Sequence, residues 1–433
     1  MYVRLDSENP TPPYDTWATA SKTVKDAAIY AANLVAQAAA AAEEEGETES
    51  EDQFVEILVG AGRYAESGIY VGRNVTLRGA TGNRDDVVIG PSRDAFGMGT
   101  NNNTDKTTYR ALQATGPGAT IADLTVTNGY VYGNSNYGGG AYLTSGATIT
   151  NCHITRCVAR YTPSSAAGMY ISGSYAYDVL VDKCQRNPWK SETSEAYSGY
   201  AVYVVGKSLL ERCQIVDNSA GYLKGGGGLN RRGGALGVYN ESDMPSTVRN
   251  CLIARNRIVS MANGTYVLGS GATIQGGIIE NCTIVSNASE NVPGIEVGTY
   301  GLYVFNNQSS TTTEYVRNCH IAENYYKTSL ANFGTSKNTE YIRNVVTYCC
   351  TSSLTGGGGN FGPGCVLDDT TKWEFDEKGR FNLLAGSRCI NNGTTLKWMT
   401  GATDLYGNPR IHSKGPEIGA VEFINPGLTV IVK

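Results

Sequence analysis

Histidine is almost absent from this 433-residue chain, which carries only His153, His320 and His412. So few imidazoles exclude a histidine-rich metal centre, and no Ser/His/Asp arrangement for nucleophilic catalysis can be assembled from them. No apolar run approaches the roughly 20 residues of a membrane-spanning helix. A net charge of −5 without a basic stripe leaves no electrostatic footprint for nucleic acid. Gly225–Gly228 lacks the Lys-Ser/Thr of a phosphate loop, and no Cys-x-x-Cys pair faces a second one. Neither a metal nor a cofactor is therefore expected. Proline is scarce at 13 while glycine reaches 53, a balance that suits many short strands joined by tight turns rather than disorder or a helical bundle.

What is present is a repeat. The segments Ile149-Thr150-Asn151-Cys152-His153-Ile154, Val181-Asp182-Lys183-Cys184 and Leu210-Glu211-Arg212-Cys213-Gln214-Ile215 share one pattern. So do Val248-Arg249-Asn250-Cys251-Leu252-Ile253, Ile279-Glu280-Asn281-Cys282-Thr283-Ile284 and Val316-Arg317-Asn318-Cys319-His320-Ile321. The cysteines recur every 29 to 38 residues, and Asn218, Asn256, Asn287 and Asn324 each lie five places after a cysteine. A fixed core with variable spacing is the mark of a solenoid whose loops grow from one corner. Each half-unit alternates as a strand does, yet the aliphatic three before Cys and the aliphatic two after it cannot share one face of a flat strand. The chain must bend between them, and Asn tolerates the left-handed conformation of a tight bend. Strand, sharp turn and strand make a coil of an all-β, right-handed parallel β-helix. Stacked coils set Cys on Cys about 4.8 Å apart, and roughly ten of them make a rod of about 50 Å. Six cysteines in one register among eleven read as a buried column of small apolar thiols. Cys349, Cys350 and Cys365 stand outside that register as the candidates for oxidation.

The chain divides into an N-terminal cap over 1–54, coils over 55–351, an irregular C-terminal cap over 352–423 and a terminal strand or tail over 424–433. The cap holds a helix from residue 16 to about 42, with Val24, Ala28, Ala31 and Val35 on one apolar stripe, followed by a solvated acidic loop. Asn74-Val75-Thr76-Leu77 and Ile121 to Val126 supply early coils without cysteine.

Several stretches resemble known families. Trp17 to Ala20, Lys22 to Ala27 and Val59 to Tyr64 look like the N-terminal signature of secreted bacterial β-helix proteins of the pectin-lyase-like superfamily. Gly138 to Leu143 leading into Asn151-Cys152 resembles polymorphic outer-membrane protein repeats. Phe381 to Leu383 with Gly386-Ser387, Asp404 to Arg410 and Ile418 to Glu422 resemble the closing segment of choice-of-anchor surface proteins. The resemblance implies an exported protein, outside the cell or on its surface, whose leader has been removed. Its superfamily mixes lyases, hydrolases and adhesins, so it implies no single activity.

Two groups of residues invite chemistry. Upstream of each Asn turn lies a strand with aliphatic flanks and an outward middle residue, which predicts a stripe of Tyr142, Tyr170, Tyr203, Tyr266 and Tyr303, interrupted at Gly237. Tyrosine faces in a row suit sugar rings, although tyrosines also stack on one another in sheets. Loops beside the stripe carry Trp189 and, within 219–234, Arg231 and Arg232; with the tyrosines these are the candidate ligand-binding set. The second group is Asp182, Lys183, Glu211 and Arg212, which successive coils would bring within about 5 Å of one another. Such a set could serve a polysaccharide lyase or glycosidase, but Arg249, Glu280 and Arg317 continue the column as in a plain ion-pair ladder. His153 and His320 share a repeat position about 24 Å apart, too far for one ion. The expected partner is a polysaccharide or glycoconjugate bound by a non-catalytic, adhesin-like protein. The alternatives are a polysaccharide-cleaving enzyme and a rod subunit self-associating or anchored through Leu428–Val432.

Overall fold

The computed structural model describes residues 1–45, 53–92, 108–133, 137–160, 165–186, 199–222, 233–240, 245–260, 269–290, 300–305, 314–326, 328–335, 337–351, 362–367, 372–411 and 414–424. Trp189, Arg231, Arg232, Tyr266, His412 and the tail from 425 onward lie outside these residues.

The chain winds as a right-handed parallel β-helix with four sheets. In one complete coil the strand Ala141–Thr144 belongs to sheet S1, Thr148–Thr150 to S2, His153–Thr155 to S3 and Val158–Arg160 to S4. S2 and S3 each have eleven strands, S1 nine and S4 eight. Eleven rungs at about 4.8 Å give the rod of about 50 Å that the repeat predicts. Neighbouring strands pair in parallel, Ile149 with Ile121 and Ala176, Ile154 with Val126 and Val181, so equivalent side chains pile into columns. The flanks of the S1 strands (Ala141 and Leu143, Met169 and Ile171, Val202 and Val204) are fully buried, as their alternation requires.

The helix α1, Val24–Glu45, begins eight residues later than its sequence pattern suggests, because the chain before it is used in the rod. Tyr2–Val3 pairs with Leu58 and Val59 as the first strand of S2, and Ser21 bridges Val3. The Glu66 carboxylate accepts hydrogen bonds from the Val24 and Lys25 amides at 2.8 and 2.9 Å, satisfying helix-end donors. Val24, Ala28 and Ala31 are buried against the first coils and Val35 is half-buried there, so the stripe closes this end of the core. At the other end the helix α2, Thr339–Val345, buries Ile342 and Val345 in the same core.

The C-terminal segment, 372–424, does not sit over the rod's end. It lies along the flank, on the outer face of S3. Phe381, Leu383, Cys389, Leu405, Ile418, Ala420 and Val421 form one buried cluster with the outward S3 residues Val216, Leu252, Ala254, Val285, Ala322 and Cys350. Where it lies, outward S3 positions are mostly apolar, with Thr283 and His320 as the polar members; earlier coils carry His153 and Gln214 there. A knot of polar contacts shapes the segment. Asp404 accepts from the amides of Tyr406, Asn408 and Glu422, each at 2.8 Å, while Arg410 pairs with Glu422 at 3.2 Å, both fully buried. Burial lowers the Arg410 pKa to about 10, still positive at neutral pH. Among the described residues no helix is long and apolar enough to cross a membrane.

Candidate functional site

Two sharp bends bound S3, and both place one residue in the left-handed region. At the S2–S3 bend these are Asp123, Asn151, Asp178, Arg212, Asn250, Asn281, Asn318 and Tyr348, with φ from 45° to 56°. At the S3–S4 bend they are Asn128, Arg156, Lys183, Asp217, Arg255, Ser286 and Glu323, with φ from 47° to 58°. In both bends the next residue is generally small and points inward. Behind the first bend stand Cys152, Val179, Cys213, Cys251, Cys282, Cys319 and Cys349, and behind the second Cys157, Cys184, Asn218, Asn256, Asn287 and Asn324.

This corrects the repeat alignment. Cys184 stacks with Cys157 and Asn218, whose side-chain oxygen accepts from the Cys184 amide at 2.9 Å, and Val179 fills the place expected for Cys184 in the first column. Cys349 and Cys365, read as outside the column, extend it: the Cys319 and Cys349 amides reach the Cys349 and Cys365 thiols at 3.4 Å. None of the eleven cysteines is in a disulfide. Burial pushes the Cys152 thiol up to about 12 and those of Cys184, Cys213 and Cys251 well above their ordinary value, so they pack as neutral groups.

The same shift separates the proposed acid–base residues. Asp182 ends an S3 strand, stacked between Thr155 and Val216, and Lys183 follows in the S3–S4 bend, 60% exposed. Glu211 ends an S2 strand, stacked between Tyr177 and Arg249, and Arg212 follows in the S2–S3 bend. The four residues therefore form two groups on different sheets rather than one cluster. In the first, Asp182 accepts from or pairs with His153 Nε2 at 2.9 Å and lies 3.4 Å from Lys183 Nζ. Burial alone would raise its pKa, but hydrogen bonds from His153 and Thr155 and the charges of His153 and Lys183 outweigh that and hold it at about 2. In the second, Arg212 grips Asp178 with two contacts of 2.9 Å and touches Glu211 at 3.1 Å, while Arg249 reaches Glu211 at 2.7 Å. Glu280 continues this column with Arg317 and Trp398, and Arg249 lies over the Trp398 ring at 4.6 Å. Both oxygens of Glu211 are occupied, so this column is an ion-pair ladder running under the C-terminal segment.

The tyrosine stripe is real over part of its length. Parallel register aligns Tyr70, Gln113, Tyr142, Tyr170, Tyr203, Gly237, Thr273, Tyr303 and Gly334 along the outside of S1. Thr273 takes the place expected for Tyr266, since the strand in that coil is Gly269–Gln275. Ring centroids are 5.3 Å apart for Tyr142–Tyr170 and 5.7 Å for Tyr170–Tyr203, with Tyr137 4.7 Å from Tyr170. Gly237 is not a gap but a platform: a Cβ there would come within 2.7 Å of the Tyr200 and Tyr203 rings, which lie across it. Exposure falls along the column. Tyr70 is 46% exposed, Tyr142 and Tyr170 are half-buried, and Tyr203, stacked on Tyr200 at 5.0 Å, is only 8% exposed. Arg110 lies 4.7 Å over Tyr142, held by the carbonyls of Tyr137 and Gly138 and by Gln113.

One cluster escaped the sequence reading altogether. His320, Cys350 and Cys389 are buried together, one ligating atom of each lying within 4.8 Å of the others. Sixty-nine residues separate the first from the last, so no local motif announces them.

The strand order and the bends define a parallel β-helix. No protein-family model and no curated protein sequence matches the chain. Among solved structures it is similar to the crystal structure of pectate lyase Pel9A, at 14% identity over 98% of this chain and 97% of that one, with a TM-score of 0.45.

Proposed function

We propose that this protein is an exported, non-catalytic carbohydrate-binding β-helix that holds a polysaccharide against the outer face of S1. The observation that carries the reading is the tyrosine column, with Tyr142 and Tyr170 half-buried at 5.3 Å and Tyr70 more open on the far side of Gln113. Rings fixed by a rigid sheet offer flat apolar faces with no further ordering cost, and their hydroxyls bond sugar hydroxyls. Gln113 and Arg110 add donors between Tyr70 and Tyr142, and Arg110 suits an acidic sugar. The site is therefore the Tyr70–Tyr170 stretch, which Tyr203, stacked on Tyr200, flanks in the next coil.

The cleavage reading finds its four residues split between two sheets and its Glu211 saturated by arginines. The experiment is retention on a panel of immobilised neutral and acidic polysaccharides, with ultraviolet absorbance for unsaturated uronates followed alongside. Tyr142→Ala combined with Tyr170→Ala should weaken retention at least tenfold while circular dichroism stays native. Unchanged retention, or no retention of the wild type by any polysaccharide, overturns the binding face. Rising absorbance overturns the non-catalytic reading.

A further inference from the structure

The outer face of S3 carries a cluster that the glycan reading does not use. His320 opens the strand His320–Ala322, and Cys350 opens Cys350–Thr351 directly above it in register. Cys389 arrives from the C-terminal segment, its position fixed by Ile418, whose amide donates to the Cys389 carbonyl at 2.9 Å. The His320 ring meets Phe381 edge-on with centroids 5.8 Å apart, which sets its orientation. All three residues are buried, and their ligating atoms lie within 4.8 Å of one another. In the two preceding coils the same outward S3 position is Leu252 and Thr283, which meet the segment through packing and through a hydroxyl that accepts from the Ala420 amide. Among the described residues, only here do soft ligands from three separate stretches of chain converge.

We propose that His320, Cys350 and Cys389 form a zinc(II) site that fastens the C-terminal segment to S3, with a small ligand such as water in the fourth position. Zinc bonds of about 2.3 Å to sulfur and about 2.0 Å to nitrogen set tetrahedral ligands roughly 3.5–3.8 Å apart, so the cluster needs to close by only about 1 Å. Charge favours zinc over copper(I). Binding releases the two thiol protons, and two thiolates cancel the charge of Zn²⁺, leaving a neutral buried complex; copper(I) would leave a buried net negative charge. A thiolate pair with imidazole is also the ligand softness that selects zinc over calcium or magnesium.

The test uses the full chain, purified under reducing conditions, stripped with a chelator and titrated with Zn²⁺, Co²⁺ and Cu⁺ in parallel. One equivalent of zinc should bind, and the cobalt form should show thiolate-to-metal charge-transfer bands. Zinc should also slow proteolysis within 372–424. Cys389→Ala and His320→Gln should each weaken zinc binding at least tenfold, whereas Cys251→Ala, in the inner column, should bind as the wild type does. If Cys389→Ala proves unfolded, His320→Gln alone carries the comparison. Absence of stoichiometric zinc, equal binding by both variants, or tighter holding of Cu⁺ than Zn²⁺ overturns the proposal. So does a Cys350–Cys389 disulfide, read as two missing thiols in the denatured chain.

Discussion

The two bends that flank S3 share a backbone and differ in chemistry. Each holds one residue near φ 50° and follows it with a small inward side chain. At the S2–S3 bend the late coils put asparagine outside and cysteine inside; at the S3–S4 bend they put Asp217, Arg255, Ser286 or Glu323 outside and asparagine inside. Left-handed backbone therefore does not by itself demand asparagine here, since lysine, arginine and glutamate adopt it in the same fold. The outer asparagines have a second task. Asn250, Asn281 and Asn318 donate to the carbonyls of Thr403, Glu417 and Thr394 at 3.0, 3.2 and 2.8 Å, so they hold the C-terminal segment against S3. The inner asparagines bond to one another instead. Asn218 donates to Asn256, Asn256 to Asn287 and Asn287 to Asn324, at 3.0, 2.8 and 2.9 Å. One residue type docks a segment at one corner and satisfies the core at the other.

Breaking the inner chain should cost most. Asn256 is 2% exposed, donates to Ile215 O and Asn287 Oδ1, and accepts from the Asn218 amide and side chain, so all four of its side-chain bonds are made inside the protein. Asn256→Leu keeps the volume and strands those partners in a dry interior, at about 3–5 kcal/mol in total. Urea unfolding followed by circular dichroism should show a midpoint shift of that size, and a loss under about 1 kcal/mol would mean the chain is not what rigidifies the bend. The outer corner should respond less. Asn281→Ala loses the bond to Glu417 and places alanine in the left-handed region, together about 2 kcal/mol. Asn281→Gly removes the backbone cost but not the docking loss. Both variants should expose 372–424 to limited proteolysis, the alanine variant more; protection equal to the wild type would detach the outer asparagines from docking.

These bends also explain how far the sequence could be read. The parallel β-helix, the inward aliphatics, the thiol column and the left-handed asparagines were all legible, because a two-residue alternation interrupted by a repeated bend has few other solutions. The bend's identity was not. Val181-Asp182-Lys183-Cys184 and Leu210-Glu211-Arg212-Cys213 match residue for residue in character, yet one spans the S3–S4 bend and the other the S2–S3 bend. A local pattern cannot separate two corners built on the same backbone, and the slip merged two ion-pair groups into one apparent site. Tyr266 lies outside the described residues, and it is Thr273, through its pairing with Gly237, that holds the outward S1 position of that coil, which local alternation alone does not select. The flank position of 372–424 and the His320, Cys350 and Cys389 cluster depend on contacts across tens of residues, which no periodicity encodes.

The uncovered half of S3 offers the smallest effect and the finest test of the corner assignment. Asp182 belongs to the S3–S4 corner, where His153 and Lys183 hold its carboxyl at about 2. A pKa below the unfolded value of about 4 means the native state keeps the ionised form. The contribution is therefore complete above pH of about 4 and disappears as the pH falls through about 2. Asp182→Asn should flatten stability across that window and leave the neutral-pH thermal midpoint within a few degrees of wild type. It should not alter the Glu211–Arg249 pair on S2, so Glu211→Gln combined with Asp182→Asn should lose the sum of the two single losses. Coupling above about 0.5 kcal/mol between them would mean that the two groups share one site after all.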